Sequence, residues 1–329
     1  MARAGLEESF AESTAPLRRE LLAHCYRMTG SVHEAEDAVQ ETLLRAWRSY
    51  PAYDPERASL RTWLHRIATN ACLNALEKSR RRGLPSDLFA PATTPTMSSP
   101  TDSPWLEPLP DAVVSSGPDP ASLVVERGSV RLAFVAALQH LPPRQRAVLL
   151  LREVLGWPAT EVAEALGTTT SGVNSALQRA RAQLEAAAPK EDDLTEPGEP
   201  GLREVLERYV KAFEDADADA LVGLLRADVV VEMPPSPSWY AGREAVRAFT
   251  ASLFADRGPG QRKLLLTSSN GQPAVALYTL GEDGMFHGRH VQVLSVSKGG
   301  ISRIVAFQQP GLLEVFALPA RLDRDGRPS

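Results

Sequence analysis

The chain has little cysteine, no long apolar run and no large excess of either charge. Two cysteines, Cys25 and Cys72, stand in apolar helical contexts with no metal-ligand spacing around them. A disulfide framework and a metal cluster are excluded on that ground, and buried free thiols are the plain reading. No apolar stretch approaches the ~20 residues needed to cross a bilayer. Arg3, Glu7 and Glu8 interrupt the N-terminus, so it does not read as a secretory signal, and a cytoplasmic protein without a membrane partner is expected. The formal net charge of −5 argues against a general nucleic-acid coat. It leaves room for clustered basic residues beside acidic ones that face another partner.

What is present divides into blocks. The 329 residues, 43% of them hydrophobic, are enough for two or three domains. Residues 10–82 are helical in pattern. Residues 83–120 are rich in Pro, Ser, Thr and Asp and read as a linker. Residues 121–187 are helical again. Residues 188–200 form a second, acidic linker. Residues 201–318 open with the helical stripe Leu202, Val205, Leu206, Tyr209, Val210 and Phe213. The β-rich runs DVVVEM, RKLLLT, PAVALYTL, RHVQVLSV and ISRIVAF follow. Helix first and strands later indicate an α+β domain. SKGG at 297–300 signals a hairpin turn. Residues 319–329 read as a frayed polar tail.

The stretch 168–185, TTTSGVNSALQRARAQLE, has the pattern of the second helix of a helix-turn-helix. Thr169 is placed to cap it, and Val173, Leu177 and Leu184 share a packing face. Thr170, Ser171, Asn174, Ser175, Gln178, Arg179 and Arg181 are left for base edges and phosphates. Thr160 to Leu166 supplies the shorter first helix and Gly167 the turn.

Two earlier helices carry opposite charge. In residues 33–47 the stripe Ala35, Val39, Leu43 and Ala46 is flanked by Glu34, Glu36, Asp37, Gln40 and Glu41. Crowded like charges repel mildly, so this face is either an ordinary solvated surface or the contact for a basic partner. In residues 58–82, Arg61, Arg66, Lys78, Arg80, Arg81 and Arg82 oppose the single Glu77. Such a cluster neutralises phosphates with salt-sensitive affinity. Trp63 stands beside it, either as core or as a platform on which an unpaired base stacks.

An acidic AED helix, a WLxRIAxN helix with a basic end, a linker, LPPRQRAVLLLREVLGWPATEVAEALG and a helix carrying QRAR together resemble the sigma-70 family, extracytoplasmic-function group, over residues 15–187. The resemblance implies two all-α sigma domains, a region 2 helical bundle and a region 4 helix-turn-helix. It implies that Asp37, Gln40, Glu41 and Leu44 dock on core RNA polymerase. It implies that Arg61, Trp63, Arg66, Asn70, Lys78, Arg80, Arg81 and Arg82 melt and read the promoter's −10 element, with the Asp54–Leu60 loop receiving a flipped base. The helix-turn-helix residues named above would read the −35 element. Asn174 and Ala176 stand where many members carry a basic residue, so weaker or altered −35 contact is expected.

The C-terminal block resembles SnoaL-like members of the NTF2-like superfamily, an α+β cone. The resemblance rests on the amphipathic opening helix, the loop PPSPSWYAGREAV and the closing RIVAF strand. It implies a regulator in the same chain that replaces a separate anti-sigma protein. The docking-like PWLEPLPD segment and a fused domain without evident chemistry add the expectation that this domain contacts the sigma domains and switches them between closed and open arrangements. Tyr209, Phe213, Trp239, Tyr240 and Phe307 supply either the lining of a small-ligand cavity or, more simply, core. Glu232, His287 and His290 are the nearest approach to a catalytic set, and catalysis is not expected. His287 and His290, three apart on one strand, should face opposite sides and share no metal. Within the linker, PWLEPLPD holds Trp105, Leu106 and Pro108, apolar residues that need a surface to dock on. No cofactor is expected.

Overall fold

A computed structural model describes residues 2–77, 81–113, 129–187 and 201–328. Lys78, Arg80 and the expected linker stretches 114–120 and 188–200 lie outside the described residues. The chain separates into two compact units, each discontinuous in sequence. One comprises Met1–Arg82 with Val113–Pro189, the other Gly83–Ala112 with Lys190–Ser329.

The first unit is helical. Helices α1 (Ala2–Thr14), α2 (Arg18–Thr29), α3 (Val32–Ser49) and α4 (Leu60–Leu76) form its N-terminal block. Both α3 and α4 start on serine caps. Ser31 Oγ accepts the Glu34 N–H at 3.1 Å, and Ser59 Oγ accepts the Thr62 N–H at 3.1 Å. Each cap satisfies an N–H that the helix start leaves open. Leu21, Cys25, Met28, Ala35, Val39, Leu64, Ala68 and Cys72 are buried between α2, α3 and α4. The second block holds α6 (Leu132–Gln139), α7 (Pro143–Leu149), α8 (Ala159–Leu166) and α9 (Thr170–Ala187). The short α5 (Pro85–Leu88) precedes these and belongs to the other unit. Helix α7 runs on through a π turn, Leu150–Val154. Gly167, at φ 61°, ends α8, and Thr169 Oγ1 accepts the Gly172 N–H at 3.0 Å to begin α9.

The two helical blocks pack on one another through α2 against α6 and α7, and α4 against α7. Arg146 of α7 is the buried centre of this joint. Its guanidinium donates to the Met28 carbonyl near the C-terminal end of α2 and to Gln139 Oε1 at 2.6 Å. It also reaches the carbonyls of Leu138 at 2.9 Å and Leu141 at 3.1 Å. Several donors converging on helix-end carbonyls satisfy the buried charge. Burial lowers the Arg146 pKa to about 10, which leaves the group charged at neutral pH.

The second unit is built on a sheet of order β2-β1-β6-β5-β4-β3. Its strands are β1 (Leu225–Glu232), β2 (Trp239–Ala241), β3 (Arg262–Ser269), β4 (Gln272–Leu280), β5 (Phe286–Ser297) and β6 (Gly300–Phe307). The β1–β6 pair is parallel and the other pairs are antiparallel. Helices α10 (Leu202–Glu214), α11 (Ala218–Gly223) and α12 (Arg243–Asp256) complete the core with one sheet face. Tyr209, Phe213, Val246, Val275, Leu277, Leu294 and Ile304 belong to this core. Gly300 closes the SKGG hairpin at φ 112°, where a Cβ would stand 2.6 Å from the Leu224 carbonyl oxygen. Only glycine fits there.

The segment expected to be linker divides in two. Residues 83–112 are packed into the sheet unit. Leu109 and Asn270 exchange two hydrogen bonds, N–H to Oδ1 at 2.9 Å and N–H to carbonyl at 2.9 Å. Gly271 N–H donates to Asp111 Oδ1 at 2.7 Å, and Ala92 N–H to the Trp239 carbonyl at 2.8 Å. Ser98 N–H donates to Ser238 Oγ at 2.8 Å, and Tyr240 Oη to the Thr96 carbonyl at 3.0 Å. Trp105, Leu106, Pro108 and Leu109 are buried. The polar composition of the segment conceals this, because its partners lie more than a hundred residues away. The tail reading also needs correction. Residues Arg321–Leu322 form β7, pairing with β5 through Phe286 and His287, and Leu322 is fully buried. A two-residue strand is too short to produce an alternation signal.

Candidate nucleic-acid interface

Helix α9 turns Val173, Leu177 and Ala180 inward. Thr170, Ser171, Asn174, Ser175, Gln178, Arg179 and Arg181 are all exposed on it. The result is a continuous polar face of about three turns, able to meet base edges and phosphates in a major groove. Arg181 is held by Glu153 at 2.5 Å. Leu184, expected in the packing stripe, is only half-buried.

The second basic helix is arranged differently. A cleft of about 510 Å³ is lined by Ala52, Tyr53, Asp54, Arg57, Ala58, Ser59, Thr62, Trp63 and Arg66 on one wall. Trp157, Glu161, Glu164 and Ala165 line the other. Trp63 is half-buried, and its ring lies 4.9 Å from that of Tyr53. It therefore serves as an aromatic wall of the cleft as well as packing. Arg66 Nη1 meets Glu164 Oε1 of α8 at 3.0 Å. Asn70 Nδ2 donates to the Arg66 carbonyl at 3.0 Å. Arg61 forks onto the Glu20 carboxylate. Arg82 reaches Glu34 at 2.6 Å, and Arg81 reaches the His140 ring at 2.7 Å. Four of the expected DNA-facing arginines thus hold partners inside the helical unit. Arg57 falls in the Asp54–Leu60 loop expected to receive a flipped base, whereas the acidic pair Glu161 and Glu164 escaped the sequence reading, since its relevance comes only from the facing of distant segments.

On α3, Asp37 and Gln40 are exposed and Glu41 is half-exposed, held by Arg45 at 2.6 Å. Leu44 lies between them with 52% of its surface open. An open leucine rimmed by acidic residues suits a protein partner better than a nucleic acid.

The aromatic set of the sheet unit does not assemble at one place. Tyr209, Phe213 and Tyr240 are core, with Tyr209–Phe213 rings at 5.1 Å and Tyr240–Phe249 at 4.5 Å. Phe307 pairs with Val291 on the opposite sheet face. Trp239 is half-buried, its indole donating to the Phe89 carbonyl at 2.9 Å. Tyr209 Oη donates to Gln292 Oε1 at 2.7 Å, and Gln292 Nε2 to His290 Nε2 at 2.9 Å. Burial raises the Tyr209 pKa and lowers that of His290 to about 4, so both are neutral at pH 7.

Glu232 is fully buried, paired with Arg303 and accepting the Ser86 N–H at 2.8 Å. His287 is tied to Asp283 at 2.9 Å, holding that carboxyl below its ordinary range. The expected opposition of His287 and His290 is not found. Thr279 pairs with His287 and Leu277 with His290, across a register shift. The extra residue of this bulge puts both histidines on one face. Their separate partners still keep them apart in role, and no metal-ligand cluster occurs among the described residues.

Comparison with known proteins follows the same division. Residues 15–82 match the Sigma-70 region 2 family, residues 131–184 the Sigma-70, region 4 family, and residues 206–304 the SnoaL-like domain family. The chain is 50% identical over 316 residues to the ECF RNA polymerase sigma factor SigG of Mycobacterium tuberculosis, covering 95% of this chain and 85% of that one. It is 30% identical over 252 residues to SigJ of the same organism, covering 74% and 73%. The crystal structure of the M. tuberculosis extracytoplasmic function sigma factor SigJ superposes with a TM-score of 0.62 at 26% identity. It covers 94% of this chain and 99% of that one.

Proposed function

The chain belongs to the ECF RNA polymerase sigma factors, and from that premise we propose that its SnoaL-like domain governs when the two sigma domains reach a promoter. As a sigma factor it binds core RNA polymerase and directs it to promoter DNA. In this reading α9 contacts the −35 element. The wall from Tyr53 to Asn70 takes the melted −10 strand. Asp37, Gln40, Glu41 and Leu44 meet polymerase. The work is cytoplasmic, and no helix among the described residues is long and apolar enough to cross a membrane.

The observation that carries the regulatory part is the captured linker. The −10 and −35 elements lie about 25 base pairs apart by position, roughly 85 Å of duplex at ~3.4 Å per pair. The arrangement with Glu164 on Arg66 at 3.0 Å cannot serve both, so the sigma domains must separate. Residues 83–130, fully released, are long enough for ~160 Å. With residues 83–112 held on the sheet unit, residues 113–128 add no more than ~55 Å at full extension to the docked segment's own span. Capture therefore shortens the tether between the two DNA-reading halves, and anything that binds the released state better shifts the balance toward opening.

In this reading the SnoaL-like domain is regulatory, not catalytic. Glu232, His287 and His290, the acid and bases it offers, are engaged with Arg303, Asp283 and Gln292. Run-off transcription with core polymerase tests the proposal. The full chain and a chain ending at residue 189 should differ several-fold in transcript yield. Equal yield across salt and temperature would remove the regulatory role and leave sigma activity standing.

A further inference from the structure

Beyond the cleft, a second groove opens between α3 and α4. It encloses about 360 Å³ and is lined by Arg45, Arg48, Ser49, Ile67 and Asn70. Arg48 is exposed and makes no ion pair among the described residues. Arg45 holds Glu41 at 2.6 Å, but the two side chains are 39% and 46% exposed. An exposed i,i+4 pair of that kind is weak and readily exchanged for a stronger anion.

The groove lies further along α4 from the cleft residues Trp63 and Arg66. Trp63, Arg66, Ile67 and Asn70 recur at three- and four-residue spacing, so they follow one side of α4. Trp63 and Asn70 are seven residues apart, about 10 Å along the axis. That is the reach of a nucleotide or two of unstacked strand. A strand with one base seated against Trp63 therefore carries its next phosphates past Asn70 and into the groove. There it meets two guanidiniums, whose planar forks match phosphate oxygens. Two cations beside the apolar Ile67 suit a sugar-phosphate backbone, whose phosphates meet the guanidiniums while its sugars lie on the aliphatic surface.

We propose that Arg48, assisted by Arg45, is a backbone-positioning site for the single-stranded −10 region, contacting phosphate rather than base. The proposal rests on the promoter-reading function above and adds residues to it. The test is fluorescence anisotropy of core polymerase bearing the full chain, titrated with a fork-junction DNA carrying single-stranded −10 sequence, at several salt concentrations.

Arg48→Ala should weaken binding several-fold at low salt. It should also lower the slope of log affinity against log salt by about 0.7 for each single-strand phosphate that Arg48 neutralises. The weakening should be equal on promoter and scrambled −10 sequences, Arg48→Lys should retain most of the slope, and affinity for core polymerase should not change. An unchanged salt slope overturns the proposal. So does a defect located in core binding, which assigns Arg48 to the polymerase face of α3. If the wild-type holoenzyme fails to prefer promoter over scrambled DNA, the promoter-reading function itself falls. A preference that survives with an unaltered Arg48 slope removes only this site.

Discussion

The cleft side of the joint between the two helical blocks and the dock of residues 83–112 on the sheet are built from opposite materials. In the helical unit the contact over the cleft is Arg66 with Glu164, side chains 47% and 75% exposed. Arg146 provides one buried anchor behind it. The dock uses backbone hydrogen bonds and apolar burial, with Trp105 at 5% and Leu106 and Leu109 at 0% exposure. Exposed ion pairs are worth under ~1 kcal/mol, are screened by salt and exchange readily for phosphate. Buried apolar contacts stabilise by several kcal/mol and barely respond to salt. The exposed pair across the cleft is thus suited to yielding to DNA, while the dock, like the buried Arg146 contact, is suited to holding until something displaces it.

The largest test of this contrast is Trp105→Ala. Removing a buried tryptophan should cost about 3–5 kcal/mol. Proteolysis should then cut residues 83–112 quickly while the sheet unit keeps its folded signal. Slow cutting at the wild-type rate would mean that the backbone bonds hold the segment unaided.

Acid should act on the helical unit. His24 and His65 are buried with ring centroids 5.4 Å apart, and His24 Nε2 lies 2.9 Å from Thr69 Oγ1. Burial, then His65 and Arg27, hold the His24 pKa well down. Burial also lowers that of His65, against the opposing pull of Glu20. The native unit therefore keeps both rings neutral, while the unfolded chain takes up protons near pH 6.5. Stability should be full above that pH. It should decline below it by at most about 1.4 kcal/mol per pH unit for each ring. Thermal melts at pH 7.5 and 5.5 measure this, and identical midpoints for the helical unit would contradict it.

The smallest effect belongs to Glu164→Ala. Stability should shift by less than ~1 kcal/mol. Affinity for single-stranded −10 DNA should rise modestly at low salt and converge with wild type at high salt. A salt-independent change would show that the cleft contact acts by shape and not by charge.

Much of this architecture was legible in the sequence, for physical reasons that differ by element. Helix α9 announced itself because a cap, a 3.6-residue stripe and a polar face all lie within eighteen residues. The acidic and basic helices were legible by the same local periodicity. The SKGG hairpin was visible because glycine there is obligatory. The dock was only half legible. Trp105 and Leu106 declared a need for cover, but Asn270 and Trp239, which receive the segment, carry no local mark. The pairing of Arg66 with Glu164, the burial of Arg146 at the end of α2 and the bulge that turns His290 beside His287 all depend on distant chain. Among the proposed site residues, those on a regular helix face are therefore legible by periodicity. Those that depend on two helices facing one another carry no such local signal.

The reciprocal pair of hydrogen bonds between Leu109 and Asn270 also bears on heredity. The chain suggests a cut near residue 200 as the place where a C-terminal module was added. A hybrid made by grafting a foreign module at that point would bring its own β3–β4 turn to a segment fitted to this one. Leu109 and Asp111 would then meet the wrong turn. Residues 83–112 travel functionally with residues 201–328, although the region 4 helices stand between them in the gene. The transplantable part is an interrupted one, and substitutions on its two sides are expected to change together.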